Sequence, residues 1–251
     1  MIFSSKHKFI FIKGRKVAGT SIEMALSPLC GPQDIITPIS PVDELKRLSL
    51  GGQPQNYSRK SSVEAEYLGL VRAGKVDAAV KTRVHSDKVY PFYNHMPLTA
   101  VETLLNPPSR EYTLVYAVRS PYEKVASLAN MYLSFNKYSG KPMENSIEDI
   151  RESIRLIFES GQYILAKNYA LYQSDKPYKA RIILRHEHLA SDFQNVLPKL
   201  GIRAEQAELP HAKQGSVARG YLVENMLTRA QLDLINTEFS DEFLAHKYQK
   251  I

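Results

Sequence analysis

The stretch KFIFIKGRKVAGTSIEMAL, residues 8–26, decides the fold. It opens with a short β-branched and aromatic run, Lys8–Ile12, which predicts a buried strand. A loop containing Gly14 and Gly19 follows, and the letters IEMAL after it have helical character. Where such a loop leads from a strand into a helix, successive backbone N–H groups can surround an anion. The sequence therefore predicts a strand–loop–helix unit with an anion-binding turn.

Two further strands extend this unit into a sheet. The run YTLVYAV (Tyr112–Val118) is nearly all apolar, which is typical of a central parallel strand. Ser120–Glu123 then predicts a helix start, with a capping serine, a proline at the first position and a glutamate that completes a capping box. A third strand, Arg181–Leu184, precedes a predicted helix at about 192–200.

Strands that alternate with helices imply βαβ units with right-handed crossovers. We therefore expect an α/β protein with a P-loop-like three-layer fold, in which helices flank a central, mostly parallel sheet. Ligands of such sheets bind beyond the carboxyl ends of the strands. Both the 13–21 loop and the 119–127 segment leave strands at that edge, so we expect them to lie near each other.

The rest of the chain reads mostly as helix. The predicted helical segments are 62–80 (with Ser61 or Ser62 as the N-cap), Pro97–Leu105, 146–173 with a break near Gly161, and the C-terminal part from Thr228. Residues 33–60 are rich in proline, glycine and polar residues, which predicts a surface insertion. We expect a single domain over 1–251, with the insertion reaching about residue 90.

The composition excludes several classes of protein. Of the 251 residues, 43% are hydrophobic and 24% are charged, which is typical of a soluble globular protein rather than a disordered one. The apolar runs fall far short of the ~20 residues that a membrane span needs. The N-terminus does not read as a signal peptide, and Cys30 is the single cysteine, which excludes an internal disulfide and a multi-cysteine metal site. These features favour the cytoplasm.

The charge balance favours an anionic ligand. Lysine and arginine total 33 against 26 acidic residues, a net charge of +7. The basic residues occur as scattered pairs, such as Arg15-Lys16 and Arg59-Lys60, rather than in a dense block. This distribution predicts local anion pockets and argues against a nucleic-acid-binding tail.

The 13–21 loop has the spacing of a phosphate loop. In Gly14-x-x-x-x-Gly19-Thr20-Ser21 the pattern is similar to a Walker A motif, but Thr20 stands where that motif has its lysine. Lys16 supplies a mobile positive charge. The alternative is a glycine-containing turn that binds nothing.

A second candidate anion site begins at Arg119, directly after the second strand. Ser127 follows eight residues later, in the next helix. An arginine fork and a hydroxyl together suit a phosphate or sulfate oxyanion. Taken alone, Arg119 could equally be a solvated or ion-paired strand end.

Together these segments resemble the PAPS-dependent sulfotransferases, most closely their carbohydrate-type and bacterial branches. Residues 15–21 are similar to the 5′-phosphosulfate loop P-K-T-A-G-T-S, and residues 118–128 to the 3′-phosphate motif V-R-x-P-x-x-R-x-x-S-x-Y. Residues 184–189 resemble the R-Y-E-D-L element, and residues 241–243 the late D-Y/F-x-x-F-x-Y element. The chain departs from the pattern in having Arg15 for proline, Val17 for threonine or serine, and Lys124 for arginine.

The resemblance implies roles for particular residues. Lys16 would be catalytic, contacting the bridging and 5′-phosphate oxygens of PAPS and offsetting charge on the leaving group. The residues that it implies for binding PAPS, and its product adenosine 3′,5′-bisphosphate, are Arg15, Lys16, Ala18, Gly19, Thr20 and Ser21 for the 5′ end and Arg119 and Ser127 for the 3′-phosphate. No metal site is expected. Residues 213–216 are loosely similar to a late loop that closes over the nucleotide.

A general base would assist attack by the acceptor hydroxyl. His95 is the first candidate, since family members often place a catalytic histidine before the 3′-phosphate strand, and a neutral imidazole can accept a proton near pH 7. His85 is its rival. The alternative for His95 is a structural role at the start of the Pro97–Leu105 helix.

The sequence thus favours a cytoplasmic, metal-independent sulfotransferase that moves a sulfuryl group from PAPS to an acceptor hydroxyl. The acceptor is expected to be a carbohydrate or glycoconjugate, although a phenol would also suit; residues 33–90 and 136–160 would shape its site. A divergent P-loop small-molecule kinase and a non-catalytic polyanion-binding module are the alternatives. The oligomeric state is not predicted.

Overall fold

The computed structural model describes residues 1–84, 91–134, 146–210 and 223–251. The chain divides into two compact units, each assembled from three segments. Unit 1 comprises Met1–Gly14, Ala18–Ala117 and Leu171–Lys213, and unit 2 comprises Arg15–Val17, Val118–Ala170 and Gln214–Ile251.

The strands form one five-stranded sheet in the order β3-β1-β2-β4-β5. They are β1 (Ile2–Ser4), β2 (Phe9–Ile12), β3 (Ile35–Ile36), β4 (Thr113–Val118) and β5 (Ala180–Arg185). β1 pairs antiparallel with both β2 and β3, whereas β2 pairs parallel with β4. The protein is therefore α/β, with a mixed sheet flanked by helices.

The helices follow these bounds in chain order: α1 (Gly19–Leu26), α2 (Pro41–Ser49), α3 (Ser61–Arg72), α4 (Val76–Val84), α5 (Leu98–Leu105), α6 (Pro121–Ser134), α7 (Ile147–Glu159), α8 (Leu189–Val196), α9 (Val223–Met226), α10 (Arg229–Glu238) and α11 (Ser240–His246). Short 3₁₀ turns connect several of them, among them Gln162–Ala166 and Tyr169–Tyr172 after α7 and His186–His188 after β5.

The central pair of strands is the part of the sheet that positions the candidate site. β2 and β4 are buried along their whole length, and their register pairs Phe9 with Thr113 and Ile12 with Tyr116. Because the two strands are parallel neighbours, their carboxyl ends lie side by side at one edge of the sheet. The predicted strands β2, β4 and β5 are confirmed.

The prediction of a mostly parallel sheet is wrong, because the sheet also contains β1 and β3, which the sequence did not indicate. Both are short, at three and two residues, so they show no alternation of polar and apolar residues. Both pair antiparallel with a neighbour, which makes the sheet mixed.

Residues 33–60, predicted to be a surface insertion, contribute to the core of unit 1. They hold β3 and α2, and Asp34 within them is fully buried. Its carboxylate accepts hydrogen bonds from the Ser4 hydroxyl at 2.6 Å and from the Gly31 amide at 2.8 Å. Glu44 and Arg47 are likewise buried as an ion pair. Part of the polar composition that suggested exposure therefore belongs to hydrogen-bonded polar groups inside the unit.

The predicted helix at 62–80 is present as two helices, α3 and α4, separated by a turn in which Gly74 has φ +68°. The predicted serine cap is wrong. α3 begins at Ser61 itself, and its N-cap position is Lys60, which supplies no side-chain hydrogen bond.

The core of unit 2 consists mainly of apolar faces of α6, α7, α10 and α11. Its main members are Tyr122, Val125, Leu128, Ala129, Tyr132, Ile150, Ile154, Ile157, Leu232, Ile235, Phe239 and Phe243. These residues recur at the three- and four-residue spacing of a buried helical face. Three predicted helix boundaries are confirmed in this unit. Pro121 begins α6, Thr228 caps α10, and Gly161, at φ +70°, follows α7.

Candidate functional site

The loop between β2 and α1 contains two non-glycine residues in the left-handed region. Lys16 has φ +62° and Ala18 has φ +60°. This conformation costs energy for a residue with a Cβ atom, so it persists where surrounding contacts hold it. Left-handed residues in a turn also direct neighbouring N–H groups to one side, as anion-binding loops require.

The N-terminus of α1 carries the next group of donors. Ala18 occupies the N-cap position, and no described side chain caps the helix. Ser21 and Ile22 donate their N–H groups to the Ala18 carbonyl, at 3.0 and 3.3 Å, whereas Gly19 and Thr20 are first-turn residues whose N–H groups have no intrahelical acceptor. Since the first turn also contains no acidic residue, the helix dipole there favours an anion.

Gly19 is required by close packing rather than by its φ angle. A Cβ atom at this position would lie 2.6 Å from Cγ of Lys13 and 3.2 Å from the carbonyl oxygen of Gly14. The second glycine of the predicted motif therefore lets the start of α1 pass close to the loop.

The other lysine near the loop, Lys13, serves the core. Its Nζ lies 2.7 Å from Glu23 Oε2, and both side chains are almost fully buried. Burial alone would raise the pKa of Glu23, but the charges of Lys13, the Met1 amino group and Arg47 outweigh it and lower the pKa to about 2. Lys13 is thus neutralised, and Arg15 and Lys16 are the cations that belong to the loop itself.

The second predicted site starts one residue after β4. The Arg119 side chain is 13% exposed, and its Nε donates to Glu123 Oε2 at 2.8 Å. This bond uses one of the five N–H donors of the guanidinium. Ser127 is half-buried and lies in the second turn of α6, eight residues after Arg119.

Lys124, which stands where the resembled motif has an arginine, is not exposed to a ligand. It is fully buried and forms a short ion pair with Glu242, and its Nζ also donates to the Ala166 carbonyl at 3.0 Å. Burial lowers the pKa of Lys124, and the carboxylate of Glu242 partly offsets the effect. Glu242 belongs to the late predicted element, so this pair joins two of the motifs inside unit 2.

His95 contacts the loop through a backbone group. Its Nδ1 lies 3.1 Å from the Lys13 carbonyl oxygen, and its backbone is left-handed at φ +61°. A carbonyl oxygen can only accept, so Nδ1 carries the proton, and Nε2 is the basic nitrogen of the neutral ring. This tautomer is the one that a base acting through Nε2 needs. His85, the rival candidate, lies outside the described residues.

The predicted site residues are divided between the two units. Ala18, Gly19, Thr20, Ser21 and His95 belong to unit 1, and Arg15, Lys16, Arg119 and Ser127 belong to unit 2. The similar segment at 184–189 spans the end of β5 and the 3₁₀ turn that follows, and residues 241–243 lie in α11. The late loop at 213–216 lies outside the described residues.

The loop also depends on Asn168, a residue that no pattern in the sequence indicated. Asn168 accepts a hydrogen bond from the Arg15 amide at 2.7 Å and donates one to the Arg15 carbonyl at 2.8 Å. No motif marks Asn168, and it lies 153 residues from its partner in the chain.

No family model, curated protein sequence or solved structure matches the chain. Within the described ranges, no helix is both long and apolar enough to cross a membrane. The evidence for a function therefore lies in the two strand–loop–helix segments, β2 to α1 and β4 to α6, and in the side chains on them.

Proposed function

We propose that the chain is a PAPS-dependent sulfotransferase with a P-loop-like three-layer fold, acting in the cytoplasm. It would transfer a sulfuryl group to an acceptor hydroxyl, of a carbohydrate or glycoconjugate. The observation that carries the proposal is the parallel pairing of β2 and β4. A helix is the next element after each of these adjacent strands, and the residues between each strand and its helix include groups of the kind that suit an anion.

The donor set suits a nucleotide with phosphates at both ends of its ribose. The uncapped start of α1, with Thr20 and Ser21 in its first turn, and the charge of Lys16 fit the 5′ end. Arg119 and Ser127, on the β4–α6 segment, fit the 3′-phosphate. PAPS supplies the activated sulfuryl group in this reaction.

The chemical steps assigned to the chain are few. His95 Nε2 accepts the proton of the acceptor hydroxyl as the new oxygen–sulfur bond forms. Lys16 stabilises the negative charge that develops on the phosphate oxygen when the bond from that oxygen to sulfur breaks. The loop and Arg119 hold the nucleotide so that attack is in line with the breaking bond.

The kinase alternative has less support. A P-loop kinase places a lysine where this chain has Thr20, and an acidic Mg²⁺ ligand at a strand end. The residue that follows β4 is instead Arg119, a cation. The assignment of residues 33–90 and 136–160 to the acceptor site, and of the whole chain to a single domain, stays a prediction from the sequence; residues 85–90 and 136–145 lie outside the described part of the chain.

The proposal is tested by calorimetric titration with adenosine 3′,5′-bisphosphate beside ADP, in metal-free buffer and with Mg²⁺. We expect the bisphosphate to bind without metal and more tightly than ADP. Arg119→Ala should weaken its binding about 10- to 100-fold, since a hydrogen bond to a charged group contributes about 1.5–3 kcal/mol. Arg155→Ala is the matched control, because Arg155 is an exposed arginine of unit 2 that also pairs with carboxylates.

Two outcomes would contradict the sulfotransferase proposal. Binding of ADP alone, and only with Mg²⁺, would favour the kinase. Equal loss of binding in Arg119→Ala and Arg155→Ala would show that the 3′-phosphate is not held at Arg119.

A further inference from the structure

Asn168 holds the backbone of the loop at Arg15 from both sides. It accepts from the Arg15 N–H and donates to the Arg15 carbonyl, and only 1% of its own surface is exposed. The second bond fixes the peptide plane between Arg15 and Lys16. Because C=O and N–H point in opposite directions in a trans peptide, the N–H of Lys16 faces away from Asn168.

Asn168 is in turn held by a buried ion pair. Its backbone N–H donates to Glu242 Oε1 at 2.6 Å, and the other carboxylate oxygen accepts from Lys124. Exposure of Lys124 and Glu242 is 0% and 2%. Lys124 lies in α6, between Arg119 and Ser127.

The three buried side chains thus link the two predicted phosphate-binding segments within unit 2. The path runs from α6 through Lys124 and Glu242 to Asn168 and the backbone of Arg15. A charge-paired, hydrogen-bonded network buried in a low dielectric is rigid, since moving one member leaves another unpaired. It can therefore hold two groups at a fixed separation.

We propose that Lys124, Glu242 and Asn168 are positioning residues that set the spacing between residues 15–17 of the 5′-phosphate loop and the 3′-phosphate helix α6, all of which belong to unit 2. Their effect is selectivity for a nucleotide that carries both phosphates over one that carries a single phosphate. This inference rests on the proposed function. A network that served stability alone would weaken the fold when cut, but would leave the relative affinities of the two kinds of nucleotide unchanged.

The first test measures the dissociation constants of adenosine 3′-monophosphate and adenosine 3′,5′-bisphosphate. The first constant divided by the second is the factor by which the 5′-phosphate tightens binding. We expect Asn168→Ala to reduce this ratio about tenfold, with little change in the affinity for the 3′-monophosphate. Losing two hydrogen bonds near the lower end of their usual strength corresponds to about that factor. An unchanged ratio in Asn168→Ala overturns the proposal.

The matched control is Gln231→Ala. Gln231 is also a buried amide of unit 2 that bonds backbone at both ends, accepting from Thr228 N at 3.1 Å and donating to the Arg151 carbonyl at 2.7 Å. It should lower stability without changing the ratio, and an equal fall of the ratio in this variant overturns the proposal. If Asn168→Ala does not fold, Asn168→Ser replaces it, because a serine keeps a polar group but is too short to span both backbone groups of Arg15.

The second test needs no nucleotide. Amide hydrogen exchange of residues 13–18 in the ligand-free protein should be at least tenfold faster in Asn168→Ala, while exchange in α7 stays as in the wild type. Unchanged exchange at Arg15 overturns the positioning role, whether or not a nucleotide binds. Faster exchange together with no bisphosphate binding by the wild type would leave the loop contact standing and overturn both the proposed function and the selectivity.

Discussion

Replacing Glu242 by glutamine tests the buried pair most directly. The substitution keeps the shape of the side chain, but it removes the charge opposite Lys124 and turns an amide donor towards either the ammonium or the Asn168 N–H. Since both partners are almost fully buried, the loss of free energy of unfolding at pH 7 should be about 3–5 kcal/mol. The exposed pair of Glu152 and Arg155 provides the control, and Glu152→Gln should cost less than about 1 kcal/mol.

The free energy of unfolding that Glu242→Gln removes should depend on pH, and the burial of Lys124 determines the direction of that dependence. Burial lowers the pKa of Lys124 below its usual 10.5, so between the two values the unfolded chain binds more protons than the folded one. Stability therefore rises with pH across that window. Glu242→Gln removes the negative charge that opposes this shift, so the pKa of Lys124 falls further. The pH range over which stability rises then extends to lower pH. The penalty of Glu242→Gln should accordingly be smaller at pH 10 than at pH 7.

The measurement is a double-mutant cycle of Lys124→Met, Glu242→Gln and the double variant, by urea unfolding at pH 7 and pH 10. Far-ultraviolet circular dichroism and tyrosine fluorescence would follow the transition, as the chain contains 15 tyrosines and no tryptophan. We expect the double variant to be at least about 2 kcal/mol more stable than the sum of the single losses predicts. Strictly additive losses, or a Glu242→Gln penalty below about 1 kcal/mol, would refute the reasoning.

Two further predictions concern unit 1. Gly19→Ala should lower the free energy of unfolding by about 1–3 kcal/mol, because its Cβ would overlap Lys13 and crowd Gly14; Gly69→Ala, where a Cβ meets nothing within 4 Å, should instead stabilise by about 0.5–1 kcal/mol, and thermal unfolding of both variants checks the contrast. Burial opposes ionisation of Asp34, but the hydrogen bonds that its carboxylate accepts outweigh burial and lower its pKa below 3.8. The stability contributed by ionised Asp34 is thus present above pH 3.8 and lost as the pH falls through the lowered pKa. In Asp34→Asn, the free energy of unfolding should therefore fall less steeply between pH 5 and 2 than in the wild type. Urea unfolding at several pH values checks this, and the same pH dependence in both proteins would contradict it.

The parts of the fold that could be predicted are those with a strong local pattern. β2 and β4 are runs of four and six consecutive buried residues, and a capping threonine marks the start of α10. β1 and β3 are recognised only through their pairing partners, which the local sequence does not reveal. Taken alone, Asp34 is likewise expected to be exposed to solvent, whereas its carboxylate accepts hydrogen bonds from Ser4 and Ser5, in a distant part of the chain.

The candidate site shows the same division. The loop and the start of α6 could be located, since glycine, proline and serine mark turns and helix starts through local chemistry. The role of Lys124 could not, because its partner is 118 residues away and a lysine in a helix is usually exposed. Asn168 gave no signal for the same reason. The left-handed backbone of His95 and Lys16 was also unforeseen, because only a few per cent of non-glycine residues adopt that region.

The long separation between Arg15 and Asn168 has a consequence for synthesis on the ribosome. Arg15 is translated before its partner Asn168, which follows 153 residues later, and Glu242 follows 74 residues after that. At about 5–20 residues per second, Arg15 waits roughly 8–30 s for Asn168 and longer for the acid that holds it. The first motif to be translated is therefore among the last to acquire its native contacts, and a nascent chain stalled before residue 168 would expose this loop without its anchor.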